Sequence, residues 1–194
     1  MCSTIFLAHG FSKKTLTAFG SIVITFLITG LLSYLFVSLA KISGLGSDDA
    51  YSLQFGLGDT INLKGLFLSG MIIGTLGVLD DIATSLTASI FELAHTKHYT
   101  NFGSLFMAGL RFGQEHISSL VNTLVLAYTG SALPLMLFIV INPSQKPLWS
   151  ILNSQVIAEE IIRSLVGSFS LVIAVPLTVT ITTYFALRHQ AKMK

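Results

Sequence analysis

Four stretches of the chain are apolar and long enough to matter, three of them without a single charged residue. Thr15 to Ala40 runs for 26 residues between Lys14 and Lys41. Gly65 to about Thr84 is a second apolar stretch, interrupted only near its end. Ile117 to Ile141 is a third, 25 residues long and closed by Asn142-Pro143. Ser164 to Leu187 is a fourth, 24 residues between Arg163 and Arg188. A helix needs about 20 apolar residues to cross a bilayer, so the pattern predicts four crossings. The runs are too uniformly apolar for the alternation of a membrane barrel strand. The fold class is therefore all-α: a polytopic transmembrane helical bundle in one domain, with helices at about 15–40, 65–84, 117–141 and 164–187.

Beyond Thr84 the pattern changes without ending. Ile82, Leu86, Ile90 and Leu93 recur at helical spacing, and Thr84, Ser85, Thr87 and Ser89 lie between them. This predicts an amphipathic extension of the second helix to about residue 93. The connector GLGSDDAYSLQFGLGDT is rich in Gly, Ser and Asp and reads as a solvated loop. Pro134 and Pro176 fall inside the third and fourth runs, where a proline kinks a membrane helix more readily than it breaks one.

Two adjacent acids, Asp80 and Asp81, sit inside the second run. From Gly65, Asp80 is about 22 Å along the helix axis, which leaves it some 7 Å inside a core about 30 Å thick. Gly70, Gly74, Gly77 and Asp81 fall on one helical face, continued by Ser85 and Ala88. Gly70-x-x-x-Gly74 is a close-packing signature. The expectation is that the glycines pack against another helix and that Asp81 is buried there. The alternative is that both acids reach the interface and are solvated.

The third segment offers polar partners. Arg111, Glu115 and Asn122 share one face, and Asn122 is expected at the depth of the two aspartates. His116 would lie just below them, and a histidine beside carboxylates can carry protons. Arg111 and Glu115 read as an ordinary helical ion pair. Ahead of the fourth crossing, Asn153 or Ser154 is a plausible N-cap, and Glu159, Glu160 and Arg163 read as local ion pairs. Arg163 is a candidate charged residue at that boundary.

Composition agrees with this pattern. Charged residues make up 10% of the 194, against roughly 25% in soluble domains. Mean hydropathy is +0.77. A net charge of +2 without a basic tract gives no reason to expect a nucleic-acid partner. A single cysteine, Cys2, excludes an intrachain disulfide and a cysteine metal cluster. Basic residues number seven in the segments placed inside when the N-terminus is inside, and four in the others. That asymmetry predicts both termini in the cytoplasm.

GMIIGTLGVLDDIATSLTASIFEL, FGQEHISSLVNTLVLAYTGSALPL and AEEIIRSLVGSFSLVIAVPLT resemble the YibE/F-like family of bacterial multi-pass membrane proteins. The likeness extends from AHGFSKKT to the last helix. It implies an integral plasma-membrane protein and implies no mechanism. Family members often show Gly-Arg-Asp-His-Ile where this chain has Gly113-Gln114-Glu115-His116-Ile117, so the arginine is replaced by Gln114. Members also usually carry further helices before the segment resembling HGFS. The chain is thus expected to correspond to the C-terminal half, and a second membrane protein supplying those helices, or self-association, is an expected partner arrangement.

Three function classes follow. A transport component suits intramembrane acids, an asparagine, small-residue faces and kinking prolines. An intramembrane aspartyl hydrolase needs two facing carboxylates. Gly56-Leu57-Gly58-Asp59 spells its GxGD pattern, but in the polar connector; Asp80 and Asp81 point about 100° apart on one helix. A non-catalytic scaffold subunit of a split complex is the alternative. No nucleotide-binding loop or HExxH-type metal motif is present, so no cofactor or metal and no enzymatic role is expected. The lipid bilayer is the one partner that composition alone implies.

Overall fold

The computed structural model describes residues 10, 12–57, 61–96, 98–141 and 147–192. Helices hold 88% of these residues, and no strand occurs among them. In chain order they are α1 (Lys13–Leu39), α2 (Asp48–Leu57), α3 (Leu63–His95), α4 (Phe102–Ser131), α5 (Leu133–Ile141), α6 (Leu148–Leu152) and α7 (Gln155–Lys192). Three of them, α1, α3 and α7, are long and apolar enough to cross a membrane, and α4 with α5 makes a fourth if the pair counts as one span. The all-α membrane bundle expected from the sequence is the fold observed.

Two regions differ from expectation. The Gly/Ser/Asp connector is not all loop, because α2 forms within it. Its start is capped by Ser47, whose Oγ accepts the Ala50 N–H at 3.2 Å. That bond satisfies one of the unpaired donors at a helix N-terminus. The third crossing is broken rather than kinked: α4 and α5 meet at 55°. Pro134 supplies the reason. It has no N–H for the preceding turn, and its ring crowds the carbonyl four residues back. The helix stops at Ser131 and restarts at Leu133, placing the proline in a first turn, where it is tolerated. Pro176, by contrast, lies within α7 without interrupting it.

Two compact units are distinguished. The first comprises Met1–Thr29, Gly74–Ser119 and Phe169–Lys194. Its core takes Leu79, Ile82, Leu86 and Ile90 from α3, Leu105 from α4, and Val175 and Val179 from α7. Gly109 and Gly113 bring α4 close to its neighbours. A Cβ on Gly109 would lie 2.8 Å from Val179 Cγ1, and one on Gly113 2.6 Å from Val175 Cγ1. Thr87 and Thr182, both buried, join their hydroxyls at 3.1 Å. Along α1 the hydroxyls of Thr17, Ser21 and Thr25 donate to the carbonyls of Lys13, Thr17 and Ser21 at 2.8, 3.0 and 2.8 Å. These small polar side chains satisfy themselves within their own helix, so burying them leaves no orphaned donor.

The second unit comprises Gly30–Ile73 and Leu120–Ser168. Val37, Ile42, Phe67 and Met71 form its apolar cluster, with Leu68 and Ile162 against it. Gly44 adopts φ +86°, and a Cβ there would fall on the Leu63 carbonyl. Only glycine combines that left-handed backbone with so close an approach.

Candidate functional site

Glu159 is the most deeply buried acid among the described residues, 6% exposed. A carboxylate in apolar surroundings is costly unless donors meet it. Two do. Gly46 donates its backbone N–H to Oε1 at 2.9 Å, and Gln155, one turn earlier on α7, donates its amide to the same oxygen at 3.0 Å. The Gln155 amide also reaches Ser43 Oγ. The loop at Ser43 and Gly46 is thereby tied to the start of α7. A Cβ at Gly46 would fall on the carboxylate, so that approach requires glycine.

Both of these hydrogen bonds go to Oε1, and Glu159 forms part of the wall of a cleft of about 600 Å³. Phe67, Gly70, Glu160 and Arg163 also line this cleft. So do Ser131, Ala132 and Pro134, the broken part of the third crossing. Arg163 pairs with Glu160 at 2.9 Å, and its guanidinium lies 5.4 Å from the Phe67 ring centroid. The formal charge of these three groups is one negative. An interrupted helix beside a buried carboxylate is the construction by which membrane proteins expose backbone and charge to a small ligand.

The expected local pairing of Glu159 is therefore corrected. Glu160 makes the ion pair with Arg163, while Glu159 turns inward to Gly46. The sequence reading of this segment missed that role because Arg163 offered a nearer partner.

The other candidates fall as follows. Asp81 is exposed and Asp80 is half-buried, so packing does not bury Asp81 as expected. Asn122 is exposed and belongs to the second unit, whereas Asp81 belongs to the first. Glu115 and Arg111 are both exposed, and no ion pair joins them among the described residues, which corrects that expectation. His116 is half-buried and stacks on Phe112, with ring centroids 6.3 Å apart. Gly70, Gly74 and Gly77 are exposed, and a Cβ on any of them would meet no atom within 4 Å. The glycine face on α3 is open, and the packed pair is Gly109 and Gly113. Of the GxGD segment, Gly58 and Asp59 lie outside the described residues.

The YibE/F-like protein family model matches residues 1–188. The chain belongs to the YibE/F-like family. No curated protein and no solved structure matches it. Family membership and the apolar helices together make this YibE/F-like chain a membrane protein, and the site around Glu159 is what its own geometry adds.

Proposed function

We propose that the chain is a transport-related component of the plasma membrane, taking a proton or a small cationic or hydrogen-bond-donating solute into the cleft around Glu159. One observation carries the reading: a carboxylate 6% exposed, held by Gly46 and Gln155 through one oxygen, in the wall of a cleft at a broken helix. Arg163 and Glu160 on the same wall set the local charge, and the bend at Pro134 offers a hinge. No covalent chemistry is assigned to the site.

The test uses proteoliposomes loaded with a small-molecule cell extract and a pH-sensitive dye. Mass spectrometry of the external medium follows solute loss, and the dye follows protons. Wild-type vesicles should release a solute or pass protons faster than protein-free vesicles, and Glu159→Gln should abolish the difference. Equal leakage from wild-type and protein-free vesicles would overturn the reading.

A second reading, a non-catalytic subunit of a split complex, is supported by the open face at Gly70, Gly74 and Gly77. Small residues let another helix approach closely. Purification from native membranes in mild detergent tests it. A separate membrane protein lost on Gly74→Leu supports the split complex, and a clean homodimer supports self-association.

A further inference from the structure

Within the first unit, a groove of about 530 Å³ is lined by α1, α7 and Phe91 of α3. Its polar residues gather at one end. Lys13 opens α1, Arg188 and His189 lie near the close of α7, and the Lys13 ammonium donates to His189 Nδ1 at 3.1 Å. Farther along, the lining is apolar: Leu16 and Ile24 from α1, Ile181 and Phe185 from α7. Gly20 lies between Leu16 and Ile24, and a Cβ there would meet nothing within 4 Å. Lys13 to Ile24 spans about 16 Å along the helix.

Among the described residues neither Lys13 nor Arg188 has an acidic partner, whereas the adjacent Lys14 is paired with Glu92. The groove thus keeps two basic side chains over a long apolar floor, in a chain whose composition places it in lipid.

We propose that this groove is a binding site for an anionic phospholipid, with the phosphate against Lys13 and Arg188 and one acyl chain lying over Gly20 between Ile24 and Ile181. Charge complementarity selects the headgroup. A zwitterionic lipid would bring its own cation to the same place. The apolar floor selects a lipid over free phosphate, which would leave that floor empty. Basic pockets between membrane helices hold anionic headgroups for this reason. The site does not depend on the role given to Glu159.

The full chain in mild detergent, titrated with dioleoylphosphatidylglycerol or dioleoylphosphatidylcholine and read by native mass spectrometry, tests the proposal. The wild type should retain the anionic lipid in preference. Lys13→Gln and Arg188→Gln should each weaken that preference about fivefold, the effect of one basic group near an anionic lipid. Gly20→Phe fills the groove while leaving both cations, and should also lose the lipid. Lys14→Gln should leave the preference unchanged, and glycerol phosphate should not compete. Unchanged preference in the Lys13→Gln/Arg188→Gln variant, retention by a folded Gly20→Phe variant, or competition by glycerol phosphate would overturn the proposal.

Discussion

The Glu159 carboxylate accepts the backbone N–H of Gly46 at 2.9 Å, across 113 residues of sequence. The bond fixes the approach of a loop to α7 and removes one donor and one acceptor from an apolar setting. It also decides which replacements the site tolerates, because the glutamate is needed as an acceptor for structure and as a charge for the proposed function.

Glu159→Leu should lower stability by about 1–3 kcal/mol, because it leaves the Gly46 N–H without its acceptor. Glu159→Gln keeps an acceptor of the same reach and should unfold close to the wild-type temperature. Gly46→Ala should behave like Glu159→Leu, since its methyl would occupy the carboxylate's place. Thermal unfolding in one detergent, followed by circular dichroism, checks all three. A Gly46→Ala variant as stable as wild type would show that the loop yields freely.

The packed glycines should be far less tolerant than the open ones. Gly109→Leu and Gly113→Leu would drive side chains into Val179 and Val175. Overpacking of that kind typically costs about 1–3 kcal/mol, and a leucine exceeds the space by more than one methyl group. Gly74→Leu and Gly77→Leu face open space and should stay within about 0.5 kcal/mol of the wild-type monomer. Monodisperse yield on size exclusion, with thermal unfolding, ranks the four. Loss of the Gly74→Leu monomer would contradict the open face on α3.

Thr87 and Thr182 should be coupled. Each threonine is buried, and the hydroxyls share one hydrogen bond at 3.1 Å. Replacing either with valine preserves shape and removes the bond. A double-mutant cycle should give a coupling of about 0.6 kcal/mol, the average measured between membrane helices, and no more than about 1.7. A coupling of zero would mean that the two hydroxyls are satisfied elsewhere.

These contrasts show what the sequence could reveal. The uncharged runs marked the long helices because a spanning helix must keep nearly every side chain apolar, and that constraint is local. Helix α2 was hidden because Gly, Ser and Asp dominate its surroundings, although Ser47 followed by Asp48 and Asp49 is an ordinary start signal. Gly70-x-x-x-Gly74 and Gly109-x-x-x-Gly113 are the same motif in sequence. Which one packs depends on the neighbour each meets, and no local pattern carries that. Glu159 was read through Arg163, four residues away, when its partners are Gly46 in a distant loop and Gln155 one turn earlier. The hydroxyls at Thr17, Ser21, Thr25, Thr29 and Ser33 recur every fourth residue, all five are buried, and that spacing was legible.

Basic residues number seven to four in favour of both termini lying in the cytoplasm, a bias that acts during insertion because cationic loops resist translocation. The loop before α2 would then face outward, together with the start of α7 to which Gln155 and Glu159 tie it. Ser47 caps α2 and is exposed, so a cysteine there should be reachable. In a Cys2→Ser background, Ser47→Cys should react with a membrane-impermeant maleimide on intact cells. Lys192→Cys should react only after permeabilisation. The reverse pattern would place the Glu159 cleft on the cytoplasmic side, and any solute reaching it from the nearer aqueous phase would then enter from within the cell.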